Sequence, residues 1–234
     1  MSKLSKREAK LHNEAMALVR SGRALTEDEQ ALVLDQFQEG AAHMNGLVGA
    51  FFTPRGLARD FAIEVVHSGG SRRRKVLDLC AGIGGLSWAC EYGDEMDFVC
   101  VERNPDYVEV GRVVMPRATW VTASIFDVDA YKHLGPFDVV ISNPPFGRIP
   151  AQGFEGKYTG ASFELRTIEL ASRLGRRGVF IVSLEETDDL RRFREQTGDE
   201  WHGTSPAVEI VCVDFEPASA AVKPGQRDLF TEAA

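Results

Sequence analysis

The residue types best suited to chemistry stand in Asp138-Val139-Val140-Ile141-Ser142-Asn143-Pro144-Pro145-Phe146-Gly147. The apolar, β-branched start reads as a buried strand. Asn143 follows, then two prolines, which cannot donate backbone hydrogen bonds and so end the strand. Each proline also drives the residue before it out of the helical region, leaving a stiff loop. In an open α/β sheet, ligands bind outside the C-terminal ends of the strands. The chemistry that suits such a loop is methylation of a planar amine. The exocyclic amine of adenine is a poor nucleophile because its lone pair is delocalised into the ring. Two acceptors, one per N–H, would hold it and draw the lone pair toward tetrahedral geometry. The side-chain oxygen of Asn143 and the carbonyl of Pro144 are the candidates. Pro145 stiffens the loop, and Phe146 offers a face on which a base stacks, a contact worth ~1–3 kcal/mol. A sulfonium methyl donor is already activated, so placement and electrostatics remain. No Ser, Cys or His nucleophile is required.

Asn143-Pro144-Pro145-Phe146 resembles the catalytic motif of S-adenosylmethionine-dependent amino-methyltransferases. Within that superfamily it is most similar to the adenine-specific DNA methyltransferases. A second stretch, Val76 to Leu86, is a strand, a glycine turn and a helix start, with Gly82 and Gly84 letting the backbone approach a ligand closely. A dinucleotide fingerprint would need glycine at 87, where the chain has Ser87. Asp78 followed by Gly82, Gly84 and Gly85 resembles the methyltransferase cofactor loop. It also resembles that of cytosine-C5 methyltransferases, but those require a Pro-Cys nucleophile downstream and this chain has none. Upstream, Thr53 is placed to cap a helix with Pro54 at its first position, and a helix N-terminus attracts a carboxylate. Phe52-Thr53-Pro54 resembles the motif that contacts the methionine end of the donor in adenine methyltransferases, and the order of cofactor half before catalytic half agrees. Phe98 to Glu102 is a second strand. Glu102 follows Asp78 by 24 positions, close to the offset at which an acid meets ribose hydroxyls. In the third strand and its loop, Thr119 to Asp127, the family often carries an acid at the Ser124 slot to read the donor's adenine amine. This chain departs there, leaving Ser124 or Asp127 for that role, with Ile125 as apolar neighbour of the ring. The resemblance covers residues 51 to about 184 and implies S-adenosylmethionine as cofactor.

Strand and helix patterns alternate from 76 to 184, which predicts an α/β, doubly wound, mostly parallel sheet; the resemblance makes it a Rossmann-like class I methyltransferase fold with N-terminal helices. Lys3 to Val19 reads as a helix stopped by Ser21-Gly22. Thr26 with Glu29 is a capping box opening a second helix through Leu32, Leu34 and Phe37 to near Gly40. Residues 1–45 thus form a helical extension, 46–216 the catalytic domain and 217–234 a flexible tail. Arg148 to Gly160 reads as a mobile loop able to close over a base. A helix over Phe163–Leu174, a fifth strand over Gly178–Leu184, a short helix around Leu190–Arg194 and an antiparallel edge strand over Val208–Phe215 follow.

The chain has 234 residues and a formal charge of -8. That balance argues against nucleic acid unless the positive charge is clustered. Clusters exist at Arg72-Arg73-Arg74-Lys75, at Arg166, Arg173, Arg176 and Arg177, and at Arg191, Arg192 and Arg194, each equally readable as a solvated face. Cys80, Cys90, Cys100 and Cys212 lack Cys-x-x-Cys spacing and read as reduced, and the histidines lack ligand spacing. No apolar run spans a membrane and the N-terminus is charged, which implies a cytoplasmic protein. Little chain remains for a target-recognition domain, so DNA specificity should be short or loose. RNA stays open as a substrate, and the same motif serves enzymes acting on protein glutamine. Gln226-Arg227-Asp228-Leu229-Phe230 resembles the bacterial sliding-clamp binding peptide. A catalytically silent binding module and a nicotinamide oxidoreductase are the competing classes. The intact Asn143 motif opposes the first, and the missing third glycine opposes the second.

Overall fold

Parallel strands are covered on both faces and so read as continuous apolar runs. The computed structural model of the protein describes residues 5–38, 51–66, 73–91, 96–146, 149–150, 152–183 and 208–215. Its strands are β1 (Arg74–Leu79), β2 (Met96–Glu102), β3 (Thr119–Thr122), β4 (Phe137–Ser142), β5 (Gly175–Ser183) and β6 (Val208–Asp214). They make one sheet in the order β3-β2-β1-β4-β5-β6. The first five are parallel; β6 runs antiparallel to β5, the edge expected of Val208–Phe215. The doubly wound, Rossmann-like class I methyltransferase fold is therefore present. Side chains alternate between two core clusters: Val76, Cys100, Val139 and Ile141 face one, while Leu77, Leu79, Val101 and Val140 face the other.

The strand order reverses between β1 and β4, where Asp78 pairs with Ile141 and Leu79 with Ser142. The residues that follow, Cys80 and Asn143, thus leave the sheet side by side. That is the switch point at which an open α/β sheet binds ligands.

Helix α1 (Lys6–Val19) opens on a capping box, Ser5 with Glu8, and α2 (Glu27–Gln36) on the expected one, Thr26 with Glu29. Helix α2 ends before Gly40 because Phe37 turns extended and buries its ring against His12, Phe52 and Tyr107, at centroid distances of 4.9, 5.7 and 6.0 Å. Ala31 and Val33, rather than Leu32, take its innermost positions. Ala15, Leu25, Val33 and Phe37 share their core cluster with β1 and β4. Helix α3 spans Arg55–Val66, α4 Gly85–Cys90, α5 Pro105–Val114 with Asn104 as its cap, and α6 Phe163–Ala171 capped by Ser162.

The segment read as a mobile loop is tied down. Glu169 of α6, buried, accepts from the backbone N–H groups of Lys157 (2.6 Å) and Tyr158 (2.7 Å) and pairs with Arg173 at 2.5 Å. Tyr158 is buried, and Phe154 packs edge-on with Phe126 and has the Arg166 guanidinium over its ring at 5.6 Å. The basic clusters are also engaged. Arg73 pairs with Asp97, Arg74 donates to the Val65 carbonyl, Lys75 to that of Leu134, and Arg177 to Asp214. Arg72, Arg148, the helix expected around Leu190–Arg194, and Gln226–Phe230 lie outside the described residues. Among the described residues no helix is long and apolar enough to cross a membrane, and no His, Cys, Asp and Glu grouping could hold a metal ion.

Candidate cofactor and acceptor cleft

A cleft of about 990 Å³ opens at the C-terminal ends of β1, β2 and β4. Its floor is the turn after β1. Cys80 adopts φ 64°, a left-handed conformation that costs a residue with a Cβ roughly 1–2 kcal/mol. Gly82 and Gly84 follow at φ 56° and 92°. A Cβ at Gly82 would stand 3.0 Å from the Phe52 ring, and one at Gly84 3.2 Å from Trp120, so both glycines are needed for chain direction and for space.

Two carboxylates flank this turn. Asp78 is 1% exposed and accepts from the Ser87 hydroxyl at 2.6 Å, while its Oδ1 is buried without a partner. Burial pushes the Asp78 carboxyl up to about 7; the Ser87 hydrogen bond opposes that rise and the charge of Glu102 adds to it. Ser87, at the place of a third glycine, therefore pins this carboxylate. Glu102 accepts from the backbone N–H of Gly82 at 3.0 Å and of Asn104 at 2.8 Å. Burial raises its pKa against the pull of those donors. A carboxylate offers about four lone-pair sites, so roughly two remain for a diol. Ser124 and Ile125 line the opposite wall. Asp127 is exposed, starts a short 3-10 turn at Val128–Ala130 and does not line the cleft, which leaves Ser124 of the two alternatives.

The acceptor side is built by Asn143. Its Nδ2 donates to the Phe51 carbonyl at 3.1 Å and to the Thr53 hydroxyl at 3.0 Å. Its Oδ1 is buried and unpartnered. Pro145 lines the cleft beside it, while Pro144 is buried beneath. Phe146 does not line the cleft: its ring stacks on Phe51, centroids 6.4 Å apart at 29°. Thr53 does not begin the helix as expected. Helix α3 starts at Arg55, Pro54 takes the capping place with its carbonyl accepting the Ala58 N–H, and the Thr53 hydroxyl turns to Asn143. The chain thus brings Thr53, Asp78, Gly82, Glu102, Ser124, Ile125, Asn143 and Pro145 to one cleft wall or another, whereas Gly84, expected to meet the cofactor, turns its open side to Trp120 and Met115 and does not line the cleft, and neither does Pro144. Cys80 also lines it, and burial pushes its thiol far up, which removes it as a nucleophile.

Sequence reasoning missed several contributors. The Phe51 carbonyl carries no side-chain signature. Leu34, Arg103 and Phe163 reach the cleft from α2, the β2–α5 junction and α6. The Phe-Phe pair before Thr53 was the available signal, because two adjacent large apolar residues ahead of a helix must pack on something.

The groups present fit S-adenosylmethionine. Its ammonium calls for a desolvated carboxylate with an open oxygen, its ribose for an acid with free lone pairs, and its base for an apolar wall. Asp78, Glu102 and Ile125 are those groups, set round the turn after β1. Residues 59–154 match the family model described as "Methyltransferase small domain". No curated protein matches the chain in sequence. Among solved structures, a type I restriction-modification system methyltransferase subunit from Streptococcus thermophilus superposes with TM-score 0.61 at 14% identity over 82% of this chain and 49% of that one. A protein described as a class I S-adenosylmethionine-dependent methyltransferase from Listeria monocytogenes gives 0.58 at 15% identity over 94% and 84%. A modification subunit of a type I restriction enzyme from Vibrio vulnificus gives 0.56 at 16% over 82% and 51%. The chain spans about half the length of the two restriction-modification subunits. At these identities the likeness is one of fold. The fold is the Rossmann-like class I methyltransferase fold, residues 59–154 match the methyltransferase small domain, and the cleft's groups fit S-adenosylmethionine as the cofactor.

Proposed function

We propose that the protein methylates the exocyclic amine of adenine in DNA, with short or loose sequence specificity. The observation that carries this reading is the unpartnered Oδ1 of Asn143, oriented at the end of β4 beside the cofactor turn. S-adenosylmethionine supplies a methyl group already activated on a sulfonium. Asn143 Oδ1 accepts one N–H of the amine and the Pro144 carbonyl, turned into the cleft as the base enters, the other, which draws the nitrogen lone pair out of the ring. Pro145 holds that carbonyl in place. Phe146, leaving Phe51, gives the base a stacking face. Asp78, Glu102, Ser124 and Ile125 hold the donor, with Gly82 and Gly84 letting the turn beneath it pack on Phe52 and Trp120. Arg103, exposed on the cleft wall, is a cation placed to meet a phosphate.

The motif's resemblance to adenine-specific DNA enzymes supports DNA as substrate, and so does the clamp-like peptide Gln226–Phe230. The acceptor pair would hold any planar amine or amide, including an RNA base or a glutamine side chain, so the test runs these in parallel. Labelled methyl is offered with unmethylated DNA, bulk RNA and protein, followed by nucleoside analysis. Methyl-adenine in DNA across many sequence contexts is the expected product. Label in RNA or protein alone would overturn the substrate, and label nowhere would overturn the reaction.

The tail carries a separate prediction. Deleting Leu229 and Phe230 is expected to abolish binding to the bacterial sliding clamp in a pull-down while activity on naked DNA stays unchanged. Clamp binding that survives the deletion would refute the tether.

A further inference from the structure

Asn143 is not oriented by its own strand. The terminal torsion of an asparagine is broad and roughly two-fold, so its oxygen and nitrogen exchange places unless neighbours choose between them. Here the choice is made by the Phe51 carbonyl, 92 positions earlier in the chain, and the Thr53 hydroxyl, 90 positions earlier, adds a second anchor to the same nitrogen. A carbonyl only accepts, so Phe51 demands the NH2 end of the amide. The Thr53 hydroxyl accepts from that same nitrogen at 3.0 Å. The oxygen left over is the buried, unpartnered Oδ1. The same segment holds the other end of the Asn143–Phe146 loop through the Phe51–Phe146 ring stack, and it abuts the cofactor turn through Phe52 against Gly82.

We infer that Thr53 is a positioning residue for the acceptor: its hydroxyl, with the Phe51 carbonyl, locks Asn143 in the orientation that presents Oδ1 to the amine N–H. The inference rests on amine methylation as the reaction and changes what Thr53 is for, from donor contact to orientation of the acceptor amide. An amide reversed for part of the time would present N–H donors to an amine that itself needs acceptors, and turnover would fall without any change in how the donor binds.

The test uses Thr53→Val, which keeps the shape and removes the hydroxyl, Thr53→Ala as a second deletion, and Thr53→Ser, which restores it. Three quantities are read: donor Kd by calorimetry, kcat and KM for the amine substrate, and hydrogen exchange of the Asn143 side-chain amide by NMR in donor-free protein. The amide signal is assigned by its loss in Asn143→Ala. Both deletions are expected to lower kcat about tenfold and speed amide exchange at least about tenfold, with donor Kd within about twofold, while Ser returns all three toward the starting values. A tenfold weaker donor Kd with unchanged kcat and exchange would overturn the inference, and so would an equal loss in Val and Ser. If the protein methylates no amine, the reaction reading fails separately. The exchange measurement needs neither donor nor substrate and still decides: unchanged exchange in the deletions overturns the lock, and faster exchange supports it.

Discussion

Asn143→Ala is expected to lower methyl transfer by at least about 10³-fold, a loss of about 4 kcal/mol of transition-state stabilisation, while S-adenosylmethionine binds within about threefold of its original affinity. The amine loses the acceptor that draws out its lone pair, and such preorganised contacts are worth far more in a desolvated cleft than in water. The donor keeps Asp78 on β1, Glu102 on β2 and Ile125 in the loop after β3. The substitution also leaves the Phe51 carbonyl and the Thr53 hydroxyl without their donor, at a cost of about 1–3 kcal/mol in stability, so melting temperature is recorded alongside. Loss of donor binding together with turnover would make the Asn143 loop a structural element.

The second large effect concerns Asp78, where stability and function pull in opposite directions. Burial raises its pKa from 3.8 to about 7. The folded chain therefore holds this proton more tightly than the unfolded chain. Between about pH 4 and pH 7 stability falls as pH rises, and above pH 7 the ionised, buried carboxylate costs up to about 4 kcal/mol. Asp78→Asn removes the charge and keeps an acceptor for Ser87. It is expected to raise the melting temperature at pH 8 by several degrees and to flatten this contribution between pH 4 and pH 7. The same change is expected to weaken donor binding at least about tenfold, because the ammonium loses its anion. In the unmodified chain the cationic donor favours ionised Asp78, so donor affinity should climb as pH rises through about 7. Calorimetric melts and titrations from pH 4 to pH 8 check all of this. A variant with the original melting point and the original pH slope would refute the burial account.

The two predictions differ in how far the sequence alone could have supported them. Strands β1, β2 and β4 were legible because parallel strands are apolar on both faces, and the end of β4 was legible because two prolines cannot continue a ladder. The Thr26–Glu29 capping box was legible because it is purely local. What stayed hidden is what depends on distant neighbours. Helix α2 stops at Gln36 because Phe37 finds a pocket of rings from other elements. Ser87 registered only as an absent glycine, although its hydroxyl fixes Asp78. The Gly153–Gly160 stretch has the composition of a free loop, and it is held by Glu169, a carboxylate that looks like a surface residue of α6 until the helix is placed. Thr53 was legible as a functional residue, but its target was not, because the chain separation of Asn143 and Thr53 leaves no local trace.

That separation has a consequence for the order in which the protein becomes competent. The sheet can pair β1 with β4 before residues 51–54 dock, but the acceptor amide gains its orientation only when those residues close a loop about ninety positions long. Any local fraying at that seam leaves the acceptor amide without its orientation while the sheet stays paired. Catalytic competence is then tied to the stability of that seam rather than to that of the sheet.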